Sequence, residues 1–200
     1  MKKCLVFAVA TILLAGGAFA QEKQDGLKKT KPKPLGAGRE AEIWDAFNDR
    51  LANQVDAWFK DGEFIKVIQI IKLQYEIYPK SYEIATNLGW MHENIEQNPE
   101  ALAVYKRYPV ENPGDPDNMM PLAQFYFIKR KYAEVVPILL PAIGKKPGQH
   151  PNMYRMLARS YEMLKKYKEA VTVWDSYIKI APTDLQAKTN LERVRKKMTG

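Results

Sequence analysis

Two histidines, His92 and His150, and one cysteine, Cys4, are all the imidazole and thiol groups in these 200 residues. The chain has no HExxH pair, nucleophile elbow or GxxxxGK[ST] phosphate loop. His92 lies among apolar residues at helical spacing and reads as a packed histidine. His150, in "KKPGQHPN", reads as a surface histidine. Glu93 and Glu96 form a local acidic pair whose plain reading is a solvated helix turn. The clearest chemistry belongs to Arg155 and Arg159. One helical turn apart, their guanidinium groups can grip a carboxylate through charge-assisted, bidentate bonds, or pair with Glu162 beside them. Nothing here forms the constellation an enzyme requires, so no catalytic residue, metal or cofactor is assigned.

The chain begins "MKKCLVFAVATILLAGGAFA": a positive start, an apolar run from Leu5 to Leu14, and the small-x-small triplet Ala18-Phe19-Ala20. This pattern predicts a bacterial-type secretory signal peptide over residues 1–20, cleaved near Ala20, and an exported product that is periplasmic or secreted; the rival reading is a retained membrane anchor, for which the apolar run is at the short limit. Cys4 precedes the apolar run, which argues against a lipoprotein. The remainder has no cysteine and must fold by burial alone. Export also argues against nucleic acid as a partner.

Net charge is +8, unevenly spread. Residues 21–115 carry 13 basic and 16 acidic groups, whereas residues 116–200 carry 16 and 7. Such a basic half suits an anionic membrane, an acidic glycan or an acidic protein, or else consists of solvated helix faces. Residues 21–38, rich in lysine, proline and glycine, read as a flexible tail.

From residue 39 a helical period takes over. Ile43, Trp44, Phe47, Leu51, Val55 and Trp58 recur at three- and four-residue steps, and Asp61-Gly62 ends that run. Phe64, Val67, Ile68, Ile71 and Tyr75 mark a second helix ending near Pro79, so the two form an antiparallel hairpin. Pro79, Pro113 and Pro147 are 34 residues apart, and Pro182 follows one residue late. Leu88-Gly89, Leu122-Ala123 and Leu157-Ala158 keep the same step. So do Val67, Ala101, Val135 and Ala170, and four residues on, Ile71, Tyr105, Leu139 and Trp174. Small residues mark close helix crossings, and the large ones fill the gap beside them.

With this period and this small-then-large order, residues 48–184 resemble the tetratricopeptide repeat (TPR) family. Four copies are expected at 48–81, 82–115, 116–149 and 151–184, within a TPR domain spanning 39–200. A C-terminal capping helix over 184–198 carries the stripe Leu185, Leu191, Val194 and Met198. Pro137 and Pro141 should shorten or kink the second helix of repeat three, and Pro109 should clip that of repeat two.

The resemblance implies an all-α, right-handed α-α superhelix with a concave groove lined by the first helices. On this alignment Trp90, Met120, Gln124, Phe127, Arg155 and Arg159 face the groove, although the aromatic residues could instead pack between repeats. The function implied is a non-catalytic scaffold binding an extended peptide or loop of a protein partner in the cell envelope. The alternative is an electrostatic adaptor, docking its basic half on anionic membrane or acidic glycan. The sequence gives neither the partner's identity nor the oligomeric state.

Overall fold

The computed structural model describes residues 36–199; the expected signal peptide (1–20) and residues 21–35 of the expected tail lie outside it. All regular structure in the described residues is helical: α1 (Arg39–Lys60), α2 (Phe64–Ile77), α3 (Tyr82–Asn94), α4 (Asn98–Glu111), α5 (Met120–Ile128), α6 (Tyr132–Leu139), α7 (Pro151–Met163), α8 (Tyr167–Ile180) and α9 (Leu185–Thr199). Each helix packs on its chain neighbours, and α5 also packs on α7. The result is a series of hairpins, α1/α2 to α7/α8, closed by α9.

The hairpin turns share one backbone solution. Gly62, Glu96, Arg130 and Lys165 all have positive φ, at 76°, 63°, 58° and 60°. In each turn the next residue's amide donates five residues back: Glu63 to Trp58, Gln97 to His92, Lys131 to Tyr126 and Lys166 to Tyr161, at 2.8–3.0 Å. These bonds satisfy carbonyls that the helix end would otherwise leave bare. Only the first turn uses glycine, the residue to which positive φ costs nothing.

At the crossing of α3 and α4, glycine is required for space. A β-carbon on Gly89 would lie 2.7 Å from the Tyr105 phenolic oxygen and closer still to ring carbons Cε1 and Cζ. Ala123 and Ala158 take this place in the later hairpins, both fully buried. The core forms three clusters: one centred on α2 and α3, a small one of Ala101, Tyr105, Leu122 and Phe125, and one running from Met120 to Val194. Half-buried Tyr82, Tyr126 and Ile138 each flank two clusters and stitch them together.

Four expectations need correction. Pro109 does not clip α4, which keeps the 14-residue length of α2 and α8. It lies in the last turn and removes only its own donor; the amide of Asn112 still bonds Tyr108, so the ladder resumes. Pro137 has the expected effect, since α6 is only 8 residues long. Ile43 is 61% exposed and does not join the core face of α1. In α9 the buried stripe is Ala187, Leu191 and Val194, while Leu185 and Met198 project outward. His150 is no idle surface residue: its Nδ1 accepts from the Asn152 amide at 3.2 Å and caps α7, while its own amide donates to Asp117 at 2.6 Å.

Candidate functional site

Each hairpin contributes its first helix to one wall and its second to another, and side-chain contacts define both. On the first-helix wall Phe59 of α1 meets Trp90 of α3 with ring centroids 6.0 Å apart. Lys129 of α5 donates to Glu93 of α3 at 3.2 Å. Glu162 of α7 accepts from Arg193 and, at 2.8 Å, from Lys197, both on α9. On the second-helix wall Arg107 spans Glu76 and Glu111 while lying 4.7 Å from the Tyr75 ring centroid.

Five of the six expected groove residues lie half-buried on first helices: Trp90, Gln124, Phe127, Arg155 and Arg159. Met120 is different: at 7% exposure it belongs to the core of the later repeats, so its side chain packs there and adds little wall surface. Trp90 both flanks the core and borders the wall, and Phe127 lies edge-on to Tyr132 at 5.5 Å. Both aromatics therefore have packing contacts, the alternative that the sequence left open for them.

The arginines are not a matched pair. Arg155 donates to Asp184 at 2.7 Å and to Asn152 at 3.1 Å, with the Tyr177 ring beside it, and so ties α7 to the start of α9. Burial alone would raise the Asp184 carboxyl, but the Ala187 amide, Arg155 and the Tyr177 hydroxyl outweigh it and hold the group below its ordinary range. Arg159 instead donates to Glu162 at 2.6 Å.

Glu162 pairs with Arg159 as the sequence allowed, but its role as a hub for α9 was not foreseen. Its side chain is 2% exposed, yet Arg159, Arg193 and Lys197 all bond it. Burial pushes such a carboxyl up; the three cationic donors reverse the effect and bring it down to about 2. The signal in the sequence is opposite charge about one repeat apart, Glu162 with Arg193 and Lys197, as with Glu93 and Lys129. The pattern is faint because exposed charges recur at many spacings.

Tyr105 donates to Glu93 at 2.9 Å, and burial followed by that carboxylate raises its hydroxyl well above the ordinary range. His92 is packed as expected, with Nδ1 2.8 Å from the Gln97 side-chain oxygen. Among the described residues, no group of three or more His, Cys, Asp or Glu is placed to hold a metal ion, and no helix is long and apolar enough to cross a membrane.

Hairpins in series, one spatial solution at each 34-residue step and a terminal helix closing the stack define a tetratricopeptide-type solenoid. Comparison with known proteins agrees. Residues 94–176 match the family model for anaphase-promoting complex, cyclosome, subunit 3, to which the chain is similar over that stretch. Solved structures of MamA share the fold. One is 18% identical with a TM-score of 0.56, covering 74% of this chain and 80% of its own. MamA of AMB-1 is 16% identical with a TM-score of 0.54, over 74% and 86%. A double mutant of MamA from RS-1 is 12% identical with a TM-score of 0.56, over 75% and 84%. At these identities the likeness is one of fold. No curated protein matches the chain in sequence.

Proposed function

We propose that this chain is a non-catalytic scaffold that holds an extended segment or loop of a protein partner against its first-helix wall. Its place of action is the cell envelope, reached by export and cleavage near Ala20. The observation that carries the reading is the row of half-buried side chains on consecutive first helices: Trp90 on α3, Gln124 and Phe127 on α5, Arg159 on α7. Aromatic anchors beside arginine are the composition in which binding energy concentrates. The adaptor alternative draws less support, because it gives no role to the half-buried aromatic residues Trp90 and Phe127 of the first-helix wall.

The test is photocrosslinking in the native cell from two positions: Gln124 on the first-helix wall, and Val110 on α4, which is 79% exposed. A discrete protein adduct from Gln124 and none from Val110 is expected. Equal adducts from both, or an adduct from Val110 alone, would refute the assignment of the wall.

A further inference from the structure

The first-helix wall changes sign along its length. Its first two helices carry Asp49 and Asp56 on α1 and Glu83 and Glu93 on α3. Asp49 and Glu83 are one 34-residue step apart; Asp56 follows Asp49 and the wall residue Trp90 follows Glu83 by seven residues, about two turns, which sets them on one helix face, while Glu93 follows Glu83 by ten. Asp56 pairs with Lys60, Glu93 with Lys129, and Asp49 has an interaction of its own, so this end acts through its net charge. Beyond α5 the balance inverts, because Arg159, Arg193 and Lys197 surround the single carboxylate of Glu162. The whole chain follows the wall: residues 36–115 hold 8 basic against 14 acidic groups, and residues 116–199 hold 16 against 7.

We infer that the partner segment carries its charge in two blocks, cationic where it lies on α1 and α3, anionic where it lies on α7 and α9, with apolar residues between. This rests on the wall being the docking surface. Contacts between consecutive first helices make them neighbours, at interaxial steps of roughly 8–10 Å. The centres of the acidic and basic ends are therefore about three steps, or ~27 Å, apart. That exceeds the screening length of roughly 8 Å at physiological salt, so each end acts on its own part of the ligand. An extended chain covers that centre-to-centre distance in about 8 residues, so with charged blocks of about 3 residues the spacer is about 5. The apolar spacer lies over Phe127 of α5, the first helix between the two charged ends. A segment with alternating charges gains at neither end, since its opposite charges cancel within one screening length. The surplus of two cations around Glu162 explains why the basic end retains a field although each cation there already has a carboxylate partner.

The test uses the full chain and two labelled synthetic peptides of identical composition. One has a lysine block, an apolar spacer and a glutamate block; the other alternates lysine and glutamate around the same spacer. The block peptide should bind about tenfold tighter or better, equivalent to about 1.4 kcal/mol, and Glu83→Lys should remove most of that advantage. A photocrosslinker in the lysine block should label α1 or α3, and one in the glutamate block α7 or α9. Equal affinities with both peptides crosslinked to the wall would overturn the charge ordering while leaving the wall as the docking surface. Crosslinks from neither peptide to the wall would overturn the docking surface itself. Phosphatidylglycerol vesicles are the third arm. Displacement of the block peptide by vesicles at comparable affinity would assign the basic end to lipid phosphate and refute the inference.

Discussion

Replacing Gly89 with alanine tests whether the repeat's small-then-large rule is steric. In an exposed helix the change would stabilise by about 1 kcal/mol through helix propensity. Here the new β-carbon meets the Tyr105 ring, and that ring has little room to yield. It is 5% exposed, its hydroxyl bonds Glu93 at 2.9 Å, and Phe125 lies 6.0 Å away in an edge contact. Overpacking costs roughly 1–3 kcal/mol. A shift that breaks the bond to the carboxylate adds about 1.5–3 kcal/mol. After the propensity gain the net loss should be about 3 kcal/mol, read as a fall in the midpoint of denaturant unfolding with an unchanged slope. Gly89→Ala combined with Tyr105→Leu rebuilds the combination repeat three uses, Ala123 with Leu139, and should recover much of the loss. A neutral or stabilising Gly89→Ala, or strictly additive effects in the double-mutant cycle, would refute the steric argument.

Four further outcomes follow from the geometry. Glu96→Gly, Arg130→Gly and Lys165→Gly should each stabilise the chain by about 0.5 kcal/mol, because strain relieved at positive φ outweighs the added freedom of the unfolded chain; parallel denaturant titrations would show it. Glu162→Gln should cost about 3 kcal/mol, against within roughly 0.5 kcal/mol for Arg195→Ala, whose pairing with Asp175 is exposed. Glu162 also sets a pH dependence. Its carboxyl is at about 2 when folded and in the ordinary carboxylate range when unfolded. Its contribution, up to about 3 kcal/mol, is therefore present above pH ~4.5 and is lost as pH falls towards 2, a loss that Glu162→Gln should remove from the acid-unfolding curve. Finally, His150→Ala should destabilise by about 1 kcal/mol and His150→Asp should not, because only the aspartate keeps an acceptor for the Asn152 amide.

The hairpins were legible because their rule is written in side-chain volume at a fixed period: Gly89 with Tyr105, Ala123 with Leu139, Ala158 with Trp174. Each of those residues is buried by neighbours within one repeat or the next, so spacing alone locates it. The turn residues Glu96, Arg130 and Lys165 were not legible, since nothing in their side chains announces a left-handed backbone; only their register with Gly62 does. Met120 illustrates the limit of a stripe argument. It begins α5 after the long 112–119 connection and turns into the core. Arg155 and Arg159 share a helix face, yet Arg155 reaches Asp184 just before α9, whereas Arg159 pairs with Glu162 of its own helix, which Arg193 and Lys197 of α9 also hold. A one-dimensional pattern could not separate those roles.

The claim that matters most is that a partner segment lies along the first helices of consecutive repeats. Amide hydrogen exchange of the full chain, with and without the segment captured at Gln124, tests it most directly. New protection on α3, α5 and α7, with α2, α4 and α8 unchanged, is the predicted result. Protection confined to α2, α4 and α8 would contradict it.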